Sequence, residues 1–164
     1  MAAQPVLAAR DEGMGPPRNP RCEYRVDPLG IDEKIPRLSW ELDDTRRGAA
    51  QSAYQVLVSR DPDALAKDQG PEWDSGQVQS DQSIHIVYAG KPLESGVRYH
   101  WKVRVWDHEG KVSPWSEPAL WSMGLLSPSD WKALWIGRDE TPDRDAADNI
   151  AILKKAQWIW FPEG

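Results

Sequence analysis

The chain has 164 residues, a length that allows one ordinary domain with tails or two very small domains. Its content of 40% hydrophobic and 28% charged residues is ordinary for a globular chain. Its net charge of -6 and pI near 5.1 argue against a general nucleic-acid binder, because phosphate neutralisation needs clustered Lys and Arg. Cys22 is the only cysteine, which excludes an intrachain disulfide and a Cys-rich zinc site. We expect it to be a buried structural thiol.

The N-terminal segment, residues 1–20, is rich in Ala, Pro, Gly and Arg and has no periodicity, so we predict a flexible leader. It lacks the basic region followed by an apolar run that a signal peptide needs. No stretch of the chain approaches the roughly 18 apolar residues of a membrane span. We therefore predict no membrane association. A cytoplasmic location and export after removal of a signal both remain open.

Residues 21–124 alternate between apolar and polar side chains, segment after segment. The alternating segments are CEYRV (22–26), RLSWEL (37–42), AYQVLVS (53–59), SIHIVY (83–88) and RYHWKVRVW (98–106). A strict period of two predicts half-buried antiparallel strands. The residues predicted to face inward are Leu38, Trp40, Leu42, Tyr54, Val56, Val58, Ile84, Ile86, Tyr88, Tyr99, Trp101, Val103 and Val105.

The connecting segments agree with an all-β fold. In DPDALAKDQG we predict one helical turn, capped by Asp61 and with Pro62 at its first position. DHEG is predicted to be a hairpin turn in which Gly110 supplies a positive φ. Tyr99 lies six residues after Leu93 and opens the longest strand, which suits a tyrosine corner. We therefore predict an all-β, fibronectin type III-like (immunoglobulin-like) antiparallel β-sandwich over residues 21–124.

The pattern changes after residue 124. Residues 125–149 are predicted to be a Trp-containing connector followed by an acidic linker, RDETPDRDAADN. Residues 150–164 begin a new apolar segment, which we interpret as the first element of a following β-domain that this chain lacks. The stretch AQWIWF has high β-propensity and no charge. We therefore predict self-association through residues 150–161.

No residue set in the chain predicts catalysis, a cofactor or a metal site. The acidic residues sit at turns, which solvation explains without chemistry, whereas glycoside hydrolysis needs two carboxylates flanking a sugar-sized cleft. The successive Asp, His and Glu of DHEG would point in divergent directions from a tight hairpin. His85 and His100 fall on outward strand faces and have no Cys or Ser partner at recognisable spacing. No Gly-rich phosphate loop is present.

Four tryptophans outside the inward stripes are the candidates for contact with another domain or with a sugar. Trp106 lies on the opposite strand face from the inward residues. Trp115, in SPWSEP, is predicted to stack on Lys102 and Arg104 by cation–π contact. Trp131 and Trp135 are predicted to clamp the sandwich to a following domain.

The motifs in their order resemble a known family. DPLGID, PRLSWEL, RRGAAQSAYQVLVS, WDSGQV, YHWKVRVWDHEG and SPWSEPALWSMGLLSPSDWKALWIG, over roughly residues 20–137, resemble the N-terminal region of bacterial α-L-rhamnosidases, inverting glycoside hydrolases. The closing AQWIWFPEG resembles the start of the next module of those enzymes.

The resemblance implies a sandwich followed by a jelly-roll β-domain, an (α/α)6 catalytic barrel and a C-terminal β-domain. The family's catalytic acid and base sit in the barrel, and no position of this chain matches them. The expected function is thus that of a non-catalytic accessory domain, with the downstream domains as partners, in an enzyme that removes terminal α-L-rhamnose. The alternatives are a carbohydrate-binding module for rhamnose-containing glycans and an adhesion or receptor module, the latter suggested by SPWSEP alone.

Overall fold

The computed structural model describes residues 13–133, which form a sandwich of two antiparallel sheets. The first sheet has the strand order β1-β2-β6, and the second has the order β4-β3-β7-β8, with β5 also paired to β3. This confirms the predicted all-β sandwich. The elements are β1 (Arg18–Cys22), β2 (Arg37–Glu41), β3 (Gln51–Ser59), α1 (Pro62–Ala66), β4 (Trp73–Asp74), β5 (Val78–Gln79), β6 (Ile86–Val87), β7 (Arg98–Asp107), β8 (Ala119–Ser122) and a 3-10 turn (Pro128–Asp130).

The chain divides into one compact unit, Met1–Trp131, and a second, Lys132–Gly164. Trp135, the predicted linker and the segment 150–164 lie outside the described residues. The helices of the described part include none that is long and apolar enough to cross a membrane.

The core is formed by the inward stripes of both sheets, as the alternation predicts. Rings dominate it: Tyr99 stacks on Trp121 with centroids 5.4 Å apart, and Trp40 meets Tyr54 edge to face at 5.3 Å. Each buried ring of this size removes about 150–250 Å² from water, which favours folding. The predicted inward residues that are buried are Leu38, Trp40, Tyr54, Val56, Val58, Ile86, Tyr88, Tyr99, Trp101, Val103 and Val105.

Three local features confirm the predicted turn chemistry. Asp61 caps α1, its carboxylate accepting from Asp63 N at 2.9 Å, and Pro62 opens the helix. The hydroxyl of Tyr99 accepts a hydrogen bond from Glu94 N at 2.9 Å, which forms the tyrosine corner. Gly110 has φ = 79°, as the DHEG turn requires.

The N-terminal strand lies earlier than the sequence predicts, so the strand assignment for 22–26 is wrong. Glu23 and Tyr24 have φ of 47° and 63°, and Cys22 and Arg25 exchange both of their backbone hydrogen bonds. Glu23 and Tyr24 therefore lie in a tight turn, whereas β1 occupies Arg18–Cys22. Met14 is also buried in the core, so the described end of the predicted leader belongs to the sandwich.

Two predicted inward residues are exposed. Ile84 is 55% exposed because His85, at φ = 59°, interrupts the alternation before β6 begins. Leu42 follows the last residue of β2 and is also exposed. In both cases the alternation in the sequence extends past the end of the observed strand.

The free edge of β8 is covered by residues 27–31, which we call the 27–31 strap. Ser122 N donates to Pro28 O at 3.0 Å, and Ile31 N donates to Ser122 O at 2.9 Å. Ile31 also forms a parallel bridge with Met123. The strap therefore carries the chain from the first sheet to the edge of the second and closes that side of the sandwich.

Candidate functional site

The SPWSEP segment is fixed along β7 by two serine hydroxyls. Val105 N donates to Ser113 Oγ at 3.0 Å, and Val103 N donates to Ser116 Oγ at 3.1 Å. The backbone N–H groups of the two serines donate back to the carbonyls of the same valines, both at 2.8 Å. Pro114 and Trp115 lie between the two serines, and Trp115 projects over the outer face of β7, so its position is set by the four hydrogen bonds on either side.

Two tryptophans and two cations alternate across this outer face, which we call the tryptophan–cation ladder. The Arg104 guanidinium lies 5.1 Å from the centre of the Trp106 ring and 4.5 Å from that of Trp115. Lys102 Nζ lies 5.0 Å from the Trp115 ring centre. The predicted stacking of Trp115 on Lys102 and Arg104 is confirmed, and each contact falls within the range at which a ring attracts a cation.

Polar groups on the neighbouring segments bind the cations of the ladder. Arg104 Nε and Nη2 both donate to Gln55 Oε1, at 3.0 and 2.7 Å, and Gln55 Nε2 donates to Asp74 Oδ1 at 2.7 Å. Lys102 donates to the Asp68 carboxylate, and this hydrogen bond lowers the pKa of Asp68. Lys102 was predicted to face outward, yet it is only 5% exposed because Trp115 and its ion pair cover it.

The ladder is therefore a brace between β7 and its neighbours. Trp106 and Trp115 are half-buried and hold cations against their rings. These contacts lie within the module, and contact of either ring with another domain or with a sugar stays a prediction.

An apolar groove of about 610 Å³ opens at the other end of β7. Its buried floor includes Tyr88 and Leu93, and Ile35 is exposed on its wall. Lys34 and Lys91 also line it and are both exposed. The sequence pattern could not reveal this groove, because it draws its residues from three separate segments: 34–35, 88–93 and 126–127.

Trp131 lies beside the groove and is 60% exposed. It follows the 3-10 turn, which Ser127 and Asp130 close as a capping box. Ser95 donates to the Asp130 carboxylate and accepts from Leu126 N at 2.9 Å, which ties the turn to the loop before β7. A second hollow, lined by Leu125, Leu126, Ser127, Pro128 and Trp131, shares Leu126 and Ser127 with the groove. Trp131 is thus held by an ordered turn with its ring largely in solvent.

Several buried and half-buried carboxylates of the described part are bound to arginines. Arg46 bridges Asp44 and Asp107, with Nη2 at 2.7 and 2.9 Å from their oxygens, and Arg37 makes a forked ion pair with Glu23. In each case the hydrogen bond from the arginine holds the pKa of the carboxyl below its usual range.

His85 has a hydrogen-bonding partner, whereas His100 is half-buried and Cys22 is buried. His85 Nε2 lies 2.6 Å from the Tyr24 hydroxyl on the exposed surface. Burial lowers the pKa of His100 and raises that of Cys22 to about 12, which is consistent with the buried thiol expected from the sequence. Among residues 13–133, no group of three His, Cys, Asp or Glu side chains could hold a metal ion.

The strand order, the tyrosine corner and the Trp-centred core define an immunoglobulin-like β-sandwich module of the fibronectin type III kind. Residues 17–127 match the sequence model of the family described as the Rha78A-like, N-terminal immunoglobulin domain. The chain therefore belongs to the family of Rha78A-like N-terminal immunoglobulin domains.

Relatives and solved structures agree with this assignment. The chain is 45% identical over 147 residues to an α-L-rhamnosidase of Streptomyces avermitilis, a match covering 89% of the chain and 14% of that enzyme. It is 44% identical over 134 residues to one of Formosa agariphila, covering 81% and 14%. The structure of the Dictyoglumus thermophilum α-L-rhamnosidase superimposes with a TM-score of 0.71 at 39% identity, over 76% of this chain and 14% of that one.

The structure of the Streptomyces avermitilis enzyme complexed with L-rhamnose gives a TM-score of 0.70 at 41% identity, over 92% of this chain and 14% of that one. The chain thus spans about one seventh of the length of the relatives that it matches.

Proposed function

We propose that the chain is the non-catalytic N-terminal accessory module of a larger α-L-rhamnosidase-like glycoside hydrolase, and that it packs against other parts of that enzyme. The parent enzyme would hydrolyse terminal α-L-rhamnose from glycosides. The observation that carries the proposal is that the chain matches 14% of the length of each of two α-L-rhamnosidases.

The chemistry of the described residues supports a non-catalytic role. A glycosidase acid must be protonated near neutral pH, which requires a raised pKa. Asp44, Asp107 and Glu23 have the opposite shift, because each binds an arginine. Asp44 and Asp107 also converge on the same guanidinium, which fills the space that a sugar and water would need between two carboxylates.

The test is the activity of the purified 164-residue chain on p-nitrophenyl α-L-rhamnoside. We expect a folded β-sandwich by circular dichroism and no release of nitrophenol, with the Streptomyces avermitilis enzyme as the positive control. Turnover that co-purifies with the chain and changes in Asp107→Asn or Glu23→Gln would overturn the proposal.

Direct binding of rhamnose-containing glycans is the second candidate, and the exposed ring of Trp131 is the observation that favours it. Sugar binding usually combines an open aromatic face with polar groups that fix the hydroxyls. Titration of the chain with rhamnose oligosaccharides at millimolar concentration tests it. Saturable heat that disappears in Trp131→Ala would support binding, and flat heats would exclude it at that concentration.

A further inference from the structure

We propose that Trp131 and the apolar groove form one docking surface, and that its occupant is a surface of the parent enzyme outside the matched 14% of the enzyme's length. That partner surface is apolar at its centre and bordered by carboxylates. The inference rests on the proposed function and assigns the packing role to particular residues. It differs from the sequence prediction, which places the contact on four tryptophans.

Trp131 is held in an ordered position within its own domain. A large ring that is 60% exposed gains little from its own domain, yet the capping box and the Ser95–Asp130 hydrogen bond fix the turn that precedes it. Ordering the turn before association reduces the entropy that docking costs. Pre-organised tryptophans beside pockets are typical binding hot spots.

Three exposed apolar side chains of the described residues lie together at this surface. Trp131, Leu125 and Ile35 are 60, 47 and 56% exposed, and all three line the groove or the hollow beside it. Leu126 and Ser127 belong to both cavities and make them continuous. Contiguous apolar surface around a concave centre is the pattern of a protein interface.

The size of the relatives and the charge at the groove indicate the occupant. The relatives are about seven times longer than this chain, so most of the parent enzyme lies outside the module. Trp131 ends the compact unit, and a covalently linked domain therefore meets this surface at high effective concentration. Lys34 and Lys91 at the groove favour carboxylates on the partner.

A cleavable chimera tests the proposal. In the Streptomyces avermitilis enzyme the matched segment is replaced by this chain, and a protease site is placed in the predicted linker, residues 138–149. After cleavage, we expect the module to co-elute with the rest of the enzyme on size exclusion. Trp131→Ser should raise the dissociation constant about 30-fold or more, the effect of truncating a hot spot.

The matched control is Val112→Ser. Val112 is 45% exposed, does not line the groove, and pairs with Trp106, which strand rise places about 27 Å from Arg98 at the start of β7. We expect the control to bind as the unchanged chimera does. Because Trp131 and Val112 are both exposed, both variants should keep the melting temperature of the free chain. Calorimetry of the uncleaved chimeras gives a second readout. Trp131→Ser should separate the unfolding transition of the module from that of the enzyme, whereas Val112→Ser should not.

The double variant Lys34→Glu with Lys91→Glu tests the charge at the groove: it should weaken association, and the loss should be smaller at high salt. The proposal is overturned if the cleaved, unchanged module separates freely, or if Trp131→Ser binds within threefold of Val112→Ser. A chain dimer or glycan binding that Trp131→Ser abolishes would assign the surface to that other occupant instead. Hydrolysis by the isolated chain would refute the proposed function, whereas loss of docking in an inert chain refutes this inference alone.

Discussion

Removal of the Arg104 guanidinium at the centre of the tryptophan–cation ladder should destabilise the sandwich more than substitutions at the surface usually do. Arg104→Ala deletes two cation–π contacts, to Trp106 at 5.1 Å and to Trp115 at 4.5 Å. It also deletes the forked hydrogen bond to Gln55 Oε1.

The size of the loss follows from these contacts. Partly exposed cation–π pairs contribute about 0.5–1 kcal/mol each. The forked bond from a half-buried guanidinium to an amide oxygen adds about 1–1.5 kcal/mol. Arg104→Ala should therefore lower the free energy of unfolding by about 2–3.5 kcal/mol. The loss for Arg104→Lys should lie between zero and the loss for Arg104→Ala, because lysine keeps the charge but lacks the planar guanidinium that forms the forked hydrogen bond.

The assay is urea denaturation followed by far-UV circular dichroism, with free energies from linear extrapolation. The matched control is Arg98→Ala, an exposed arginine on the same strand. We expect the control to cost less than about 0.5 kcal/mol. If Arg104→Ala costs no more than Arg98→Ala, the ladder is not a brace, and the packing role of Trp106 and Trp115 is refuted.

Three further predictions follow from the described contacts. Hydrogen bonding from Arg46 lowers the pKa of Asp107, so its contribution to stability is present above the unfolded value of about 3.9 and is lost as the pH falls through the folded pKa. Asp107→Asn should therefore flatten the stability profile in acid, and an unchanged profile would contradict this. Tyr99→Phe leaves Glu94 N without its acceptor and should cost about 1 kcal/mol in urea unfolding, whereas no loss would argue against the tyrosine corner. Cys22, 1% exposed with a pKa of about 12, should react with a thiol-specific disulfide reagent at pH 8 only after unfolding, and rapid native labelling would refute its burial.

Alternation alone could locate much of the core. The stripes on β3 and β7 are long enough that one interruption does not change which face is buried, so Tyr54 and Val103 were assigned correctly. It failed where a non-glycine residue adopts a positive φ, as at Tyr24 and His85, because nothing in the side-chain pattern announces such a backbone. β1 was missed since Pro20 and a bulge interrupt it.

Some features of the candidate site could likewise be predicted from the sequence, and others could not. The stacking of Trp115 was predictable because Lys102 and Arg104 alternate on one strand and Trp115 follows within a short hairpin. The burial of Lys102 was not, since it depends on Asp68, which a different part of the chain supplies. The groove was also unpredictable, because its walls meet only in three dimensions.

The 27–31 strap limits how this module can join a neighbour. Since Pro28 and Ile31 already occupy the hydrogen bonds that Ser122 directs away from β7, another polypeptide cannot extend this sheet by adding a strand at that margin. Attachment there must proceed through side chains. Such contacts tolerate substitution residue by residue, and the same sandwich can therefore be retained while the surfaces that flank it diverge.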